Sequence, residues 1–448
     1  MSTHITLSER GLVRAVGTFG LAAGIVNVTI GGGIYRLPAV VADTLGPAAP
    51  LAYIVCAVVM ALIGLSIAEA GSRVSLTGGP YAYVEVAFGP FVGFMTGVMT
   101  WLIGVTAIAA VGTIFIDSLA AMLPVLGSSA GRAAGLVATF GTLAVVNVLG
   151  VKYGNRLNAV TTIVKLLPLL VLVALGLFAI DAENLRIATT PTAANITRTS
   201  IVLLFAFTGV ESALIPGGEL RDPARTVPRA ILLGLGGVTL LYLAIQFVAQ
   251  GTLGASLAGS ATPLADAAGV AFGAWGRRLL LVGVVVSTFG YLSGMSLASP
   301  RSLYAFGRDG YLPKAIGAVH PRFHTPWVAV IVQLSITCVL AITSGFGPLA
   351  VISNVAALLV YFACAVGAWQ LRRTGVQEPG TTPFRMPGGA IVPVLSCLAI
   401  VGLLTSITAS EWLVLLEVAA AATVIFFLTR SHRAAHRAAV GAAVRTAD

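Results

Sequence analysis

Apolar runs of about 20 residues follow one another along almost the whole chain. They fall at 15–42, 48–70, 86–123, 131–150, 157–180, 199–219, 229–252, 279–306, 327–343, 347–371, 389–408 and 411–429. Each is long enough to cross a bilayer as a helix, so the pattern predicts twelve transmembrane helices. Several runs are longer than a bilayer requires and are expected to be tilted or broken. Two carry conspicuous interruptions. The first holds Gly31-Gly32-Gly33 followed by Pro38, and the sixth holds Phe207-Thr208-Gly209-Val210-Glu211 followed by Pro216-Gly217-Gly218. Glycine costs about 1 kcal/mol relative to alanine inside a helix, so such clusters mark places where the helix gives way. Unwound backbone exposes N–H and C=O groups that hydrocarbon cannot satisfy but a polar substrate can. Interrupted helices at matching positions of two halves point to an inverted-repeat transporter with its site at the breaks. The bland alternative is that these glycines only permit close helix packing.

Composition agrees with this reading. Of 448 residues, 57% are hydrophobic and only 9% charged, against roughly a quarter charged in soluble domains. The chain reads as one membrane domain in a lipid bilayer. Its first repeat is expected at 15–180, its second at 199–371, two further helices at 389–429 and a tail at 430–448. The net charge of +10 might suggest nucleic acid, but its distribution excludes that reading. With both termini cytoplasmic, 19 Lys and Arg residues fall in cytoplasmic segments and 6 in external ones, the bias expected of a multi-pass protein of the cytoplasmic (inner) membrane. Cys56, Cys338, Cys364 and Cys397 all lie within apolar runs without metal-ligand spacing and read as small core residues. His432 and His436 are spaced i, i+4 but sit in an Arg-rich tail, where a solvated basic segment is the simpler reading than a metal site. The first apolar stretch is too long for a cleavable signal peptide. Asn195-Ile196-Thr197 forms a glycosylation sequon in an expected external loop.

Charged residues inside spans are costly and mark candidate function. Lys165 lies within the fifth run and Glu211 just past the sixth-run break. A desolvated lysine can exchange a proton during a transport cycle; the alternative is a fixed ammonium pinning span five to carbonyls of the broken first span. Glu211 is either a gating or proton-linked group or a hydrogen-bonded brace. Glu69 and Glu85 flank the short loop between spans two and three and are expected near the headgroups. Arg36, one turn past the first break, is expected to snorkel outward or join an external gate. Glu411 and Glu417 belong at an interface or helix end.

At these residues the sequence resembles the amino acid–polyamine–organocation superfamily, and the likeness covers nearly the whole chain. Thr29-Ile30-Gly31-Gly32-Gly33-Ile34-Tyr35 with Leu37-Pro38 resembles that family's Gly-Ser/Ala-Gly-Ile-Phe signature, with Tyr35 in the place of Phe. Thr77-Gly78-Gly79-Pro80-Tyr81-Ala82-Tyr83 with Phe88-Gly89 resembles the loop into span three. Glu219-Leu220-Arg221-Asp222-Pro223-Ala224-Arg225-Thr226-Val227-Pro228 resembles the loop after span six, with Asp222 in the Asn place. Ala305-Phe306-Gly307-Arg308-Asp309-Gly310-Tyr311-Leu312-Pro313, with His320-Pro321 and Thr325-Pro326, resembles the loop after span eight.

The resemblance implies an all-α polytopic LeuT-type fold of five plus five helices with two extra, helices one and six broken. It implies that a substrate carboxylate meets the N–H groups of Gly31, Gly32 and Gly33. The amino group would meet carbonyls at Thr29, Phe205 and Thr208, with Phe205 closing over the substrate. A lysine at the Lys165 position takes the volume of a sodium ion, near carbonyls of Asn27 and Ile30, which argues against sodium coupling. Gly209-Val210-Glu211-Ser212-Ala213 is shared with antiporters of arginine and polyamines. Met295 and Phe205, however, stand where those antiporters carry Trp, which weakens cation–π stacking on a cationic substrate. The expectation is therefore a secondary active transporter for neutral amino acids, proton-coupled, needing no cofactor, no metal and no disulfide-linked heavy chain. The alternative is an amino acid/polyamine antiporter for cationic substrates. An enzyme would need paired intramembrane chemistry, and every His lies in a terminal or loop segment.

Overall fold

The computed structural model describes residues 16–74, 79–149, 154–187, 190–210, 220–377 and 382–430, with backbone alone for 154–164. The described residues are helical, without a strand; a single isolated bridge joins Val16 to Leu220. In chain order the helices are α1 (Thr18–Thr29), α2 (Gly33–Leu45), α3 (Pro50–Arg73), α4 (Pro80–Phe88), α5 (Pro90–Ala120), α6 (Ser129–Leu149), α7 (Gly154–Gly176) and α8 (Ala193–Leu203). There follow α9 (Pro223–Leu253), α10 (Pro263–Phe272), α11 (Ala274–Ala298), α12 (Pro300–Arg308), α13 (Trp327–Thr343), α14 (Phe346–Arg373), α15 (Ile391–Leu404) and α16 (Ala409–Leu428).

Proline sets many of these starts. It opens α3, α4, α5, α9, α10 and α12, where its missing N–H has no intrahelical acceptor to lose. Asp222, just before α9, has φ 41°, a left-handed conformation that Asp and Asn adopt more readily than other side chains. That explains why the loop pattern after span six carries one of these two residues there.

Seven described helices are long and apolar enough to cross a membrane, and an eighth span is the pair α1 and α2, bent by 55° at the glycine break. Five shorter apolar helices accompany them, at Lys165–Ala179, Ala193–Ala206, Pro263–Phe272, Trp327–Thr343 and Ile391–Leu404. By length and composition the protein is thus a polytopic helical membrane protein. Helix α10 has no counterpart among the expected apolar runs: its 10 residues are too few to span a bilayer. The sequon at Asn195 also differs from expectation. Asn195 lies in the first turn of α8, its backbone N–H donating to the capping Thr192 hydroxyl, because Thr192 starts the helix before the apolar run begins.

Arg73 and Arg372 mark one end of the bundle, Arg36 and Arg132 the other. At the first end Glu69 is fully buried within the protein. Its carboxylate takes Arg73 at 2.8 Å, Arg372 Nε at 2.6 Å and the Met386 N–H at 3.1 Å. Arg73 also donates to Val376 O, and Ser72 Oγ accepts from Phe384 N. One carboxylate therefore ties α3, α14 and the segment before α15 together. Removing one partner of a buried ion network typically costs about 3–5 kcal/mol, so Glu69→Ala should markedly lower the unfolding midpoint of purified protein in detergent. Glu411 caps the first turn of α16 and pairs with Arg198 at 2.9 Å, a helix-end role.

Candidate functional site

Both breaks free backbone carbonyls in the middle of the bundle, and polar side chains from neighbouring helices meet them. At the first break Lys165 Nζ donates to Asn27 O and, at 2.8 Å, to Ile30 O; the lysine is 5% exposed. Gly31 N turns back to Thr29 O at 2.9 Å. At the second break α8 tightens into a 3₁₀ turn over Leu204–Ala206. There Asn354 Nδ2, from α14, donates to Ile201 O at 2.7 Å. Tyr242, fully buried on α9, joins the two breaks: its hydroxyl lies 3.0 Å from Thr29 O and 2.9 Å from Ala206 O. Hydrocarbon leaves unsatisfied carbonyls costly, so these contacts keep the interruptions in place. Tyr35, on α2, donates to Lys165 O at 3.2 Å, tying the far side of the first break to α7.

The breaks enclose a small cavity of about 30 Å³. Its wall includes Thr29, Gly31, Gly32, Gly33, Phe205, Thr208 and Met295, with Gly209 and Tyr291 beside them and Ile103, Ala107 and Val111 from α5. All seven substrate-binding residues expected from the sequence are thus brought to one place. Lys165 stands behind the first break rather than in the cavity wall. Glu211 lies outside the described residues, as do Thr77, Gly78 and 212–219 of the loop patterns.

The glycines are required by space. A Cβ on Gly32 would lie 2.9 Å from Thr288 Cγ2 and 3.0 Å from Val111 Cγ1, and one on Gly33 would lie 2.8 Å from the Phe205 ring. Gly209 has φ +117°, and a Cβ there would meet Val28 at 2.8 Å. Gly32 precedes α2 and no side chain caps that helix start, so the partial positive charge of its opening N–H groups is presented to the cavity. Helix starts of this kind favour a carboxylate. Thr29 Oγ1 is buried with no hydrogen-bond partner among the described residues. Two of the three carbonyls expected to hold an amino group already accept hydrogen bonds: Phe205 O from Thr208 Oγ1 at 3.1 Å, and Thr29 O from Gly31 and Tyr242. No charged side chain lines the cavity among the described residues.

Phe205 roofs the cavity. Its ring meets Phe346 edge-on at 5.4 Å and 88°. Beyond Phe346 lies a larger vestibule of about 260 Å³ towards the Arg36 end. Arg36 Nη1 donates to Ser260 O at 3.2 Å and Ala261 O at 2.7 Å, attaching α2 to the chain just before α10. Below the cavity, at the opposite end, Arg221 N donates to Val16 O at 2.9 Å beside the Val16–Leu220 bridge, joining the start of α1 to the chain before α9.

Sequence reasoning missed Tyr242, Asn354 and the Asp117–Arg132 ion pair in the vestibule wall. Asn354, alone in an apolar run, carried the available signal, since an amide in a span needs an internal partner. Tyr242→Phe removes a hydroxyl worth about 1 kcal/mol in net stability but uncouples the two breaks. Uptake is expected to fall several-fold in maximal rate while the melting temperature shifts by only a few degrees; equal, large losses in both would make Tyr242 purely structural.

Two interrupted helices around a buried, glycine-walled site, inside a bundle of membrane-length helices, define a multi-pass membrane transport protein. The chain belongs to the amino acid permease family, whose pattern matches residues 16–428. It is 31% identical over 399 residues to the serine/threonine exchanger SteT of Bacillus subtilis, covering 87% of this chain and 90% of that protein. It is 26% identical to the branched-chain amino acid permease BcaP of the same organism, over 95% of each chain. It is 25% identical to the methylthioribose transporter of B. subtilis, again over 95% of each. These relatives are transporters and permeases, not enzymes.

Proposed function

We propose that this permease is a secondary active transporter that carries small neutral α-amino acids across the cytoplasmic membrane by alternating access, coupled to protons. The observation that carries this reading is the cavity between the two breaks, walled by backbone, apolar side chains and the hydroxyl-bearing Thr29, Thr208 and Tyr291, with no charged side chain among the described residues. An α-amino acid brings its own two charges. Its carboxylate suits the uncapped start of α2, and its ammonium suits the carbonyls of Phe205 and Thr208, Thr29 O already accepting two hydrogen bonds. A cationic side chain would find no carboxylate among the described residues of the cavity wall and no Trp at Phe205 or Met295. The architecture we assign is the LeuT-type one, with repeats at 15–180 and 199–371 and two added helices at 389–429. Both termini are cytoplasmic, so the Arg73 end faces the cytoplasm and the vestibule faces outward.

Lys165 is the coupling group in this reading, because it is the charged side chain bonded directly to the carbonyls of the first break. Glu211 is the second candidate, as a gating group beyond the other break. Exchange without a proton gradient is the second reading, favoured by the likeness to a serine/threonine exchanger.

Uptake of labelled L-alanine, L-serine, L-threonine and the branched-chain amino acids into proteoliposomes tests both readings. Accumulation driven by an imposed inward proton gradient into empty vesicles is the expected result. Uptake only into vesicles preloaded with amino acid would replace symport by exchange. Transport of arginine or a polyamine in preference to all of these would overturn the substrate class.

A further inference from the structure

The vestibule is distinguished by its charges. Three ionised side chains from three separate helices line its 260 Å³: Arg36 from α2, Asp117 from α5 and Arg132 from α6. Arg132 Nη1 bonds to Asp117 Oδ1, with the side chains 34% and 41% exposed. A half-solvated pair of this kind contributes little net stability, so an incoming ion can exchange into it at small cost. Arg36 is held on the rim by two neutral carbonyls and meets no carboxylate within ion-pair distance among the described residues. Below, Phe346 forms the floor, and its contact with Phe205 makes that floor the roof of the inner cavity. The wall therefore offers one carboxylate and two guanidinium groups over a space far larger than the inner cavity.

We propose that the vestibule is a second binding site, for the zwitterionic head of an α-amino acid, with Asp117 receiving the ammonium and Arg132 and Arg36 the carboxylate. Guanidinium groups pair with carboxylates through two parallel charge-assisted hydrogen bonds, and the excess of positive charge rejects amines that lack a carboxylate. The site holds substrate above the Phe205–Phe346 barrier before it reaches the breaks. This inference rests on the reading that the chain carries α-amino acids.

The test is equilibrium binding of tritiated L-serine, L-alanine and L-threonine to the full chain in lipid nanodiscs. Wild type should show two classes of site. Gly32→Leu, which fills the inner cavity, should retain only a site at least tenfold weaker, and adding Asp117→Asn with Arg132→Gln should weaken that residue of binding at least tenfold more. Ala261→Trp, which narrows the vestibule with all three charges intact, should have the same effect and keeps the test open if the charge variant does not fold. Loss of all saturable binding in Gly32→Leu, with wild type still binding, overturns the second site and leaves the inner one standing. Residual binding that survives both vestibule variants also overturns it. Binding insensitive to Gly32→Leu but lost on altering the vestibule supports the second site and overturns the inner one. No saturable binding to wild type overturns both.

Discussion

Lys165→Ala is expected to abolish proton-driven uptake in proteoliposomes while leaving a reduced exchange of internal for external amino acid. Lys165 Nζ supplies donors to Asn27 O and Ile30 O at the first break, the first contact part-buried and the second buried. Leaving a buried acceptor unsatisfied costs about 1–3 kcal/mol, so the variant loses part of what holds the break in shape as well as the ammonium bonded to it. The two roles separate in the ratio of gradient-driven to exchange flux. A coupling lysine takes the gradient-driven component with it, and that ratio should fall at least tenfold. A lysine that merely pins α7 to the break lowers both fluxes together and leaves the ratio, and the dependence on the pH gradient, unchanged. Undiminished dependence on the gradient would end the coupling role.

Gly32→Leu is expected to remove tight substrate binding, with affinity falling at least a hundredfold. A single added carbon already stands 2.9 Å from Thr288 Cγ2 and 3.0 Å from Val111 Cγ1, closer than real Cβ contacts allow, and leucine adds three more carbons to a cavity of about 30 Å³. The backbone N–H groups opening α2 are then covered. Gly32→Ala should give a smaller loss, of about tenfold, because one methyl displaces its neighbours by tenths of an ångström; overpacking of this order typically costs about 1–3 kcal/mol. Unchanged affinity in both variants, measured on protein that remains monodisperse, would remove the break from the binding site.

What the sequence disclosed and what it hid divide along physical lines. The breaks were legible because glycine runs contradict a membrane helix from within, and Lys165 because a charge in an apolar run contradicts its solvent. The seven wall residues followed from those breaks and the family likeness. The burial of Glu69 was hidden because two of its partners, Arg372 and Met386, lie more than 300 residues away, and Arg73 four residues on reads equally well as an exposed helix-end pair. Asp117 and Arg132 sit at helix ends, where a charged residue is unremarkable in any membrane protein. Tyr242 is ordinary in composition and becomes informative only when two carbonyls from separate helices arrive at one hydroxyl. Helix α10 hid because ten residues give neither a membrane-length run nor a strong period.

The described contact between Val16 and Leu220 is a main-chain one, with Arg221 N–H given to Val16 O. Any residue but proline supplies that donor. That contact, at the end opposite the vestibule, therefore asks little of side chains, whereas in the proposed reading substrate choice rests on the side chains of Phe205, Met295 and their neighbours. The two properties can drift apart: descendants of one ancestral chain could change what they carry, residue by residue, while inheriting the same lock.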